Sequence, residues 1–189
     1  REAGDELDFV DIGGGFGIPY DGESRLVIED LARVILPVVR GTGLRLVLEP
    51  GRYIVGEAGV LLTRVEYLKQ VGTKWFVIVD GGMSELIRPS HYGGYHAIEP
   101  VVMPSPRDIE VVDVVGPICE SGDFLARDRS LELPEPGDLL AVRTAGAYGF
   151  AMASNYNARC RPAEVLVEGD CVHMVRRRET IEDLVHGET

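Results

Sequence analysis

The sequence predicts an α/β fold followed by a β fold: the last βα units of a (β/α)8 barrel, then a carboxyl-terminal β-sandwich or β-barrel domain. Two observations lead to this prediction. In residues 1–60, one helix-length run separates two short apolar runs, and both of these short runs end in glycine. In residues 61–189, short β-rich runs alternate with Gly, Pro and Asp. We therefore divide the chain into residues 1–60 and residues 61–189.

The first segment contains a predicted βαβ unit. "LDFVDIG" (7–13) is typical of a buried strand, and "LRLVLEPG" (44–51) is a second strand. Between them, "SRLVIEDLARVILPVVRG" (24–41) predicts a helix, with one apolar face made of Leu26, Ile28, Leu31, Ile35 and Val38 or Val39. Two strands joined by one helix are expected to be parallel, with their carboxyl ends at the edge where such folds bind ligands.

The second segment contains six predicted strands and a closing helix. The strands are "VLLTRVEYLKQV", "KWFVIVDGG", "EVVDVVGPIC", "DLLAVRTAG", "RPAEVLVEGD" and "CVHMVRRR", and the helix is "ETIEDLVHG". Their spacing predicts an antiparallel sandwich or barrel. A complete (β/α)8 barrel needs eight βα units and this sequence supplies about two. Together with the absence of an initiator Met, this leads us to expect a chain that begins inside a larger protein.

Composition narrows the class of partners. The net charge is −12 and the isoelectric point is near 4.8, which argues against nucleic acid or an anionic membrane surface as a partner. No apolar run reaches the length of a membrane span. The three cysteines are odd in number and lack CxxC spacing, which favours reduced thiols and a cytoplasmic location.

Three consecutive glycines, Gly13, Gly14 and Gly15, follow the first strand in "DIGGGFGIPY". Glycine is costly to order and has no side chain to pack, so such a run needs a reason in the backbone. One reason is a tight turn. The other is a phosphate that approaches the main chain closely enough to accept its N–H groups. The stretch alone leaves both readings open.

The second strand ends in "EPGRY", which places Glu49, Gly51 and Arg52 at the same predicted edge as the glycines. A carboxylate and a guanidinium beside a phosphate-binding loop suit a phosphorylated, nitrogen-containing cofactor. Arg52 can bind a phosphate or a substrate oxygen, and Glu49 can hold a protonated ring nitrogen. The alternative is an exposed ion pair in a turn.

Three further motifs in the second segment contain candidate residues. "GPICESGDFLA" carries Cys119 and Glu120, although Cys119 also fits a small buried residue and the acids fit turn-formers. "RTAGAYGFAMASNYN" places Tyr148 between glycines, facing a ligand or in an ordinary turn. "LIRPSHYGGYH" adds Arg88 and Tyr92, and its two histidines lack companion ligands, which argues against a metal site.

Taken together and in order, six motifs resemble the carboxyl-terminal half of the diaminopimelate decarboxylase family. They are "DIGGGFGIPY", "LEPGRYIVGEAG", "DGGMSELIRPSHYGGYH", "GPICESGDFLA", "RTAGAYGFAMASNYN" and "RPAEVLVEGD". This family belongs to the fold type III decarboxylases, which use pyridoxal 5'-phosphate and include the ornithine and arginine decarboxylases. The resemblance covers almost the whole chain.

The resemblance implies a role for each candidate residue. Gly13, Gly14 and Gly15 would hold the cofactor phosphate, with Gly51, Arg52 and Tyr148 also near the cofactor. Glu49 would pair with the pyridine nitrogen and act in catalysis. The substrate would be bound by Arg52, Arg88, Tyr92, Glu120 and Tyr148. Cys119, as a catalytic residue, and Glu120 would enter the active site of the partner subunit in a homodimer.

The implied reaction is decarboxylation of meso-2,6-diaminopimelate to L-lysine and CO2, the last step of lysine biosynthesis. "CES" and Arg88 favour this substrate over ornithine, arginine or a carrier-bound glutamyl group, which stay as alternatives. The family's Schiff-base lysine has no counterpart here, because Lys69 and Lys74 match no such motif. The histidine that stacks on the cofactor ring is also missing. A non-catalytic binding or regulatory homologue is therefore a further alternative, and we expect this chain alone to be inactive.

Overall fold

The computed structural model describes residues 7–102 and 106–188, and its first sheet is small. Strand β1 (Phe9–Asp11) and strand β2 (Arg45–Val47) pair in parallel, with Phe9 opposite Arg45. Helix α1 (Ile28–Arg40) connects them. The predicted parallel βαβ arrangement is confirmed.

Strand β1 is exposed rather than buried as the sequence predicts, because Leu7, Phe9 and Ile12 all reach solvent. A two-stranded sheet with one helix offers few surfaces against which apolar side chains can pack. In α1, Leu31, Ala32, Ile35 and Val39 form the inward face. Val38 lies on the exposed side of the helix, so Val39 is the valine that belongs to the predicted apolar face.

Two short helical segments connect β2 to the second sheet. Helix α2 (Gly51–Val55) begins directly after the Glu49–Pro50 turn, and a 3-10 turn (Gly56–Ala58) continues it. The second sheet starts at residue 61. The strands of the two sheets thus lie on either side of residue 60, and the division of the chain there stays a prediction.

The second sheet has six strands. They are β3 (Leu61–Val71), β4 (Lys74–Val79), β5 (Ile98–Pro100), β6 (Ile109–Val115), β7 (Phe124–Glu132) and β8 (Leu139–Val142). Their order is β5-β8-β3-β4-β6-β7, and they form a nearly closed barrel. The short helix α3 (Arg88–Tyr92) lies between β4 and β5. The predicted fold class, barrel βα units followed by a β-domain, is confirmed.

The core of the β-domain follows the period-two alternation of its strands. Val65 lies opposite Val79, and Val77 lies opposite Val114, so that inward side chains meet across the ladders. The buried cluster consists of Val65, Val77, Val79, Leu86, Ile98, Val112, Val114, Leu125, Ala126, Leu140 and Val142. This core forms the rigid platform on which the loops of the site are held.

The remaining elements lie outside that sheet. Strands β9 (Glu164–Glu168) and β10 (Cys171–Arg176) form an antiparallel hairpin, and helix α4 (Ile181–Leu184) follows. Val167, Val172 and Met174 are all exposed. The two predicted strands and the closing helix are present, but the strands form a separate hairpin and are not part of the predicted sandwich or barrel. The helix begins in a capping box formed by Thr180 and Asp183.

The sheet differs from the sequence prediction in two respects. It is mixed rather than antiparallel, because β4 and β6 pair in parallel after a long crossover. It also contains β5 and β7, which the sequence did not predict. Strand β5 has only three residues, one of them Pro100. In β7, the charges of Arg127, Asp128 and Arg129 interrupt the apolar alternation, and Asp128 has a positive φ of 48° beside a shift in register.

Candidate functional site

The glycine loop and Glu49 lie side by side at the carboxyl ends of the two parallel strands. The backbone N–H of Glu49 donates to the carbonyl of Gly13 at 2.9 Å. A Cβ on Gly14 would lie 2.8 Å from the carbonyl oxygen of Glu49, which leaves no space for a side chain there. The close approach of these two backbones requires glycine at position 14.

The glycine loop fits an anion held by main-chain donors. Gly13 and Gly15 have φ angles of 71° and 80°, and a Cβ at either position would meet no atom within 4 Å. The N–H of Gly13 is bound by the Asp11 carboxylate at 2.8 Å. The N–H groups of Gly14 and Gly15 have no hydrogen-bond partner among residues 7–102 and 106–188. Unpaired N–H groups beside open space suit a phosphate.

Glu49 and Arg52 are both exposed, and neither forms an ion pair within the part of the chain that the structure describes. The alternative of an ion pair in a turn is therefore wrong. Arg52 instead lies against Tyr148, with its guanidinium carbon 5.5 Å from the ring centroid. Tyr148 has a φ of 60°, so the loop presents this ring from an uncommon left-handed backbone conformation.

Backbone contacts hold the Tyr148 loop against the segment after Arg52. The N–H of Ala145 donates to the carbonyl oxygen of Gly59 at 2.8 Å, and the N–H of Gly146 donates to the carbonyl oxygen of Gly56 at 3.0 Å. A Cβ on Gly146 would lie 1.9 Å from the carbonyl oxygen of Val55. The small residues of "RTAGAYG" are thus explained by close packing of the loop onto the first segment.

Arg88 is buried, with 7% of its surface exposed, and no carboxylate lies within ion-pair distance of it among the described residues. Its guanidinium donates to His96 Nε2 at 2.8 Å and stacks on Tyr20, 4.6 Å from the ring centroid. Tyr20 belongs to the loop after the glycines, so it connects that loop to Arg88. The Tyr20 hydroxyl is itself buried without a partner in the described part of the chain.

Tyr92 lies one helical turn after Arg88 on α3, and its side chain is exposed. Its ring meets that of His91 edge to face at 4.5 Å. Gly93 ends the helix with a left-handed φ of 62°. Arg88 and Tyr92 therefore leave the same short helix in different environments, one buried and one exposed.

Cys119 and Glu120 lie on an exposed loop between β6 and β7, so the reading of Cys119 as a buried apolar residue is wrong. Asp123 is buried and fixes this loop. Its carboxylate accepts the N–H groups of Met83 at 2.7 Å and Ile118 at 2.6 Å. A Cβ on Gly82 or Gly116 would collide with Asp123. The turn-former reading thus holds for Asp123.

The structure brings the candidate residues together in three groups. The first contains Gly13–Gly15 and Glu49, the second Arg52 and Tyr148, and the third Arg88 with the Tyr20 ring. Glu120 approaches only the Tyr156 hydroxyl, at 3.4 Å. Among residues 7–102 and 106–188, no hydrogen bond or ion pair joins Cys119 or Glu120 to those three groups.

Neither lysine is placed to serve as a Schiff-base residue. Lys74 binds the carboxylates of Asp113 at 2.9 Å and Asp128 at 3.0 Å, and these bonds raise the pKa of its amine. A protonated amine is not a nucleophile. Lys69 lies on β3 with an exposed side chain.

The described residues offer no site for a metal ion, because no group of three or more His, Cys, Asp or Glu side chains among them is arranged to hold one. Cys119, Cys160 and Cys171 are all free thiols. Within the same ranges, no helix has the length and apolar character needed to cross a bilayer.

Sequence reasoning missed Tyr20 and the role of His96. Tyr20 follows the glycine triplet by five residues, and only its ring contact with Arg88 singles it out. The sequence indicated His96 only as one of two possible metal ligands in "LIRPSHYGGYH". Both of its ring nitrogens are instead engaged by Arg88 and by the Arg143 carbonyl.

The βαβ segment with its glycine loop, followed by the β-domain, matches a known class of proteins, the cofactor-dependent decarboxylases. Residues 20–146 match the family model described as "Pyridoxal-dependent decarboxylase, C-terminal sheet domain". Because this match covers more than half of the chain, the chain belongs to the pyridoxal-dependent decarboxylase family.

Within this family, several of the similar proteins are diaminopimelate decarboxylases. The chain is 55% identical over 182 residues to the one from Pseudomonas aeruginosa, covering 95% of this chain and 43% of that protein. It is 49% identical to the one from Aquifex aeolicus, covering 97% of this chain and 44% of that protein. The crystal structure of the Helicobacter pylori enzyme complexed with L-lysine superposes with a TM-score of 0.90 at 45% identity, over 97% of this chain and 45% of that one. The chain thus spans less than half the length of these relatives.

Proposed function

We propose that the full-length protein containing this chain decarboxylates meso-2,6-diaminopimelate to L-lysine and CO2 with pyridoxal 5'-phosphate. The observation that carries the choice of substrate is the Arg88 guanidinium, buried and without a carboxylate partner in the described residues. A buried cation is costly unless an anion compensates it. Diaminopimelate supplies that anion, because its distal end carries a second carboxylate.

The same argument separates the competing substrates. Ornithine and arginine end in an amine and a guanidinium, which are cations at neutral pH, and Arg88 would repel them. The relatives at 45–55% identity are named for diaminopimelate, and this supports the same choice. A carrier-bound glutamyl group and a non-catalytic role stay as alternatives that experiment must exclude.

The residues of the first segment suit the cofactor. When bound, pyridoxal phosphate supplies an electron sink for the carbanion left by loss of CO2. Gly13, Gly14 and Gly15 would hold its phosphate through main-chain N–H groups beside Gly51. Glu49 would keep its pyridine nitrogen protonated.

The substrate would be held by residues of both segments. Arg52, stacked on Tyr148, is placed to meet the cofactor phosphate or a substrate carboxylate. Arg88 would bind the distal carboxylate, with the exposed Tyr92 beside it. These assignments leave the reacting end of the substrate to residues outside this chain, which contains no suitable lysine.

Cys119 and Glu120 would act in the active site of a partner subunit. They are exposed, and within the described residues no hydrogen bond or ion pair ties them to the other candidate residues, which leaves them free to complete a neighbouring site. A two-fold dimer would then contain two sites, each built from both chains. We place this dimer in the cytoplasm, in lysine biosynthesis, with no nucleic-acid or membrane partner.

Release of CO2 by the full-length protein tests the proposed substrate. With pyridoxal phosphate present, kcat/KM for meso-diaminopimelate should exceed that for L-ornithine and L-arginine by at least about 100-fold, since a buried charged group rejects the wrong partner strongly. Comparable turnover of either alternative would make the substrate assignment wrong. Cofactor binding without turnover of any substrate would instead support a non-catalytic homologue.

Mixed dimers test the shared site. One full-length variant lacks the Schiff-base lysine and the other carries Cys119→Ala with Glu120→Ala, so each homodimer should be nearly inactive. In a mixed dimer both lesions fall in one site and the other site is intact. Equal mixing should make about half the dimers mixed and restore roughly a quarter of wild-type activity. Activity that stays at the parental background despite proven subunit exchange would exclude the shared site.

A further inference from the structure

His96 lies at the centre of a buried arrangement around Arg88. It is fully buried. Its Nε2 is 2.8 Å from the Arg88 guanidinium, and its Nδ1 is 2.9 Å from the carbonyl oxygen of Arg143. The Tyr20 ring meets the imidazole edge to face at 5.3 Å while its face stacks on Arg88. His96 and Tyr20 therefore contact the same guanidinium from two directions.

These two hydrogen bonds determine the form of the imidazole. A carbonyl oxygen only accepts, so Nδ1 carries a proton and donates to Arg143. A guanidinium only donates, so Nε2 is unprotonated and accepts from Arg88. His96 must then be the neutral, Nδ1-protonated tautomer. A second proton would place two donors and two positive charges face to face in a buried site.

We infer that neutral His96 is a positioning residue that orients Arg88 toward the distal carboxylate of the substrate, and that protonation of His96 releases this orientation. The inference rests on the proposed role of Arg88. This role differs from that of a metal ligand and from that of a side chain that only fills space in the core. Nδ1 binds the ring to the carbonyl of Arg143, the residue directly after β8, and Nε2 accepts from the guanidinium of Arg88, which would bind the substrate.

Most of the groups around His96 act against its protonation. Burial lowers the pKa of its ring below the usual 6.5, the positive charges of Arg88 and Arg129 lower it further, and only the bond to the Arg143 carbonyl opposes this. Arg129, from β7, donates to the His96 backbone carbonyl at 2.8 Å and stacks on Tyr95. The Arg143 side chain is turned toward Glu99, 3.9 Å away. No carboxylate among the described residues bonds the ring.

Two near-isosteric variants of the full-length holoenzyme separate positioning from packing. In His96→Gln the amide oxygen can reach the place of Nε2 and accept from Arg88. In His96→Asn the shorter amide can keep the bond to Arg143 but falls short of Arg88. If His96 only packs, the smaller Asn opens a cavity and should weaken the binding of every ligand alike, whether or not the ligand carries a carboxylate. If it positions Arg88, Gln should rescue and Asn should not.

The readout is competitive inhibition by two ligands that differ by one carboxylate. L-Lysine retains the distal carboxylate and 1,5-diaminopentane lacks it. We expect His96→Asn to weaken L-lysine inhibition by about 10- to 100-fold, the usual effect of losing a hydrogen bond to a charged group. Inhibition by 1,5-diaminopentane should not change, and His96→Gln should stay near wild type.

The pH profile and nitrogen NMR add measurements that do not depend on turnover. L-Lysine inhibition should weaken in wild type as pH falls through the pKa of His96, which lies below its usual value, and this component should be missing from His96→Gln, which cannot titrate. The wild-type His96 Nε2 resonance, identified by its loss in His96→Gln, should be that of an unprotonated nitrogen at pH 8. A protonated Nε2 at that pH would overturn the inference.

An Arg88→Met variant distinguishes the two possible failures. If it leaves L-lysine inhibition unchanged, the proposed role of Arg88 is wrong and the inference falls with it. If Arg88→Met weakens inhibition but His96→Asn does not, the inference alone is wrong. Equal weakening for both inhibitors in His96→Asn would also contradict it, because a carboxylate-directed effect must spare 1,5-diaminopentane.

Discussion

Residues 7–60 and the six-stranded β-domain differ in how each is stabilised. In the first region, the described large apolar side chains that are buried are only Phe16, Ile18 and Val39, and each keeps 6–9% of its surface exposed. The β-domain has an eleven-residue core in which Val77, Val112 and Val142 are completely inaccessible to solvent. The β-domain thus carries its own hydrophobic core, whereas the first region relies on surrounding chain to complete one.

The candidate functional residues are divided between the two regions and are not concentrated in the well-packed one. The weakly packed region holds the glycine loop, Glu49 and Arg52, while the well-packed region holds Arg88 and Tyr148. The two regions meet through backbone contacts at Gly59 and Gly146 and through Tyr20 on Arg88. The well-packed domain therefore holds two of the residues proposed to bind substrate, and the weakly packed region holds the loop proposed to bind the cofactor.

The largest expected effect is complete loss of function in the isolated chain. The 189-residue chain should neither decarboxylate diaminopimelate nor bind pyridoxal phosphate covalently, because Lys74 is held protonated and Lys69 lies outside the site. Borohydride reduction followed by mass spectrometry checks for a covalent adduct. A specific adduct on either lysine together with turnover would contradict the prediction.

Stability should show the contrast between core and hairpin. In the isolated chain, Leu125→Ala should lower the free energy of unfolding by about 2–5 kcal/mol, because it opens a cavity in the β-domain core. Val167→Ala, on the exposed face of the β9–β10 hairpin, should change it by no more than about 0.5 kcal/mol. Urea denaturation measures both.

Repeating Val167→Ala in the full-length protein sharpens the same comparison. If Val167→Ala lowers the free energy of unfolding of the full-length protein by more than about 1 kcal/mol, another part of that protein covers the hairpin. Equal costs for Leu125→Ala and Val167→Ala in the isolated chain would show that the β-domain core is not what stabilises it.

Kinetics should separate Glu49 from Arg52 in the full-length enzyme. Glu49→Ala should lower kcat by on the order of 100-fold with little change in cofactor affinity, because its effect on the cofactor ring is felt in the transition state. Arg52→Ala should instead raise KM or the cofactor Kd, since its contacts exist in the ground state too. Near-normal kcat in Glu49→Ala would exclude the pyridine-nitrogen assignment.

A local effect on stability is expected at the junction between the two regions. Gly146→Ala should destabilise the full-length protein by about 1–3 kcal/mol, because the new methyl group would overlap the Val55 carbonyl. Gly17→Ala is the matched control, since its Cβ would meet no atom within 4 Å. Thermal unfolding compares them. If both cost the same, close packing at Gly146 is not what holds the junction.

Much of the fold was predictable because periodicity and glycine placement are local signals. The parallel βαβ unit and the β-rich second segment both follow from them. The separate pairing of β9 with β10 does not. Strands β5 and β7 were also missed, because β5 has only three residues and because a positive φ at Asp128 and two arginines hide the alternation of β7. The parallel pairing of β4 with β6 was equally hidden, because the chain crosses over between residues 80 and 108 and no local pattern encodes which strand it will meet.

The site was predictable in its residue types but not in its contacts. Spacing alone placed Gly13–Gly15 beside Glu49, since parallel strands end at one edge. The partnership of Arg88 with Tyr20 and His96 joins residues from three separate elements, and no sequence interval indicates it. The role of Asp123 required knowing that its carboxylate reaches the N–H of Met83, forty residues away.

The β9–β10 hairpin has a consequence for handling the isolated chain. Within the described residues its two strands pair only with each other, so each has an outer edge of unpaired N–H and C=O groups. "VLV" on β9 and Val172, Met174 and Val175 on β10 are exposed beside those edges. Open edges flanked by apolar side chains are templates for strand addition between molecules. Aggregation at high concentration should therefore begin at this hairpin, and a Lys on its exposed face is the substitution that would oppose it.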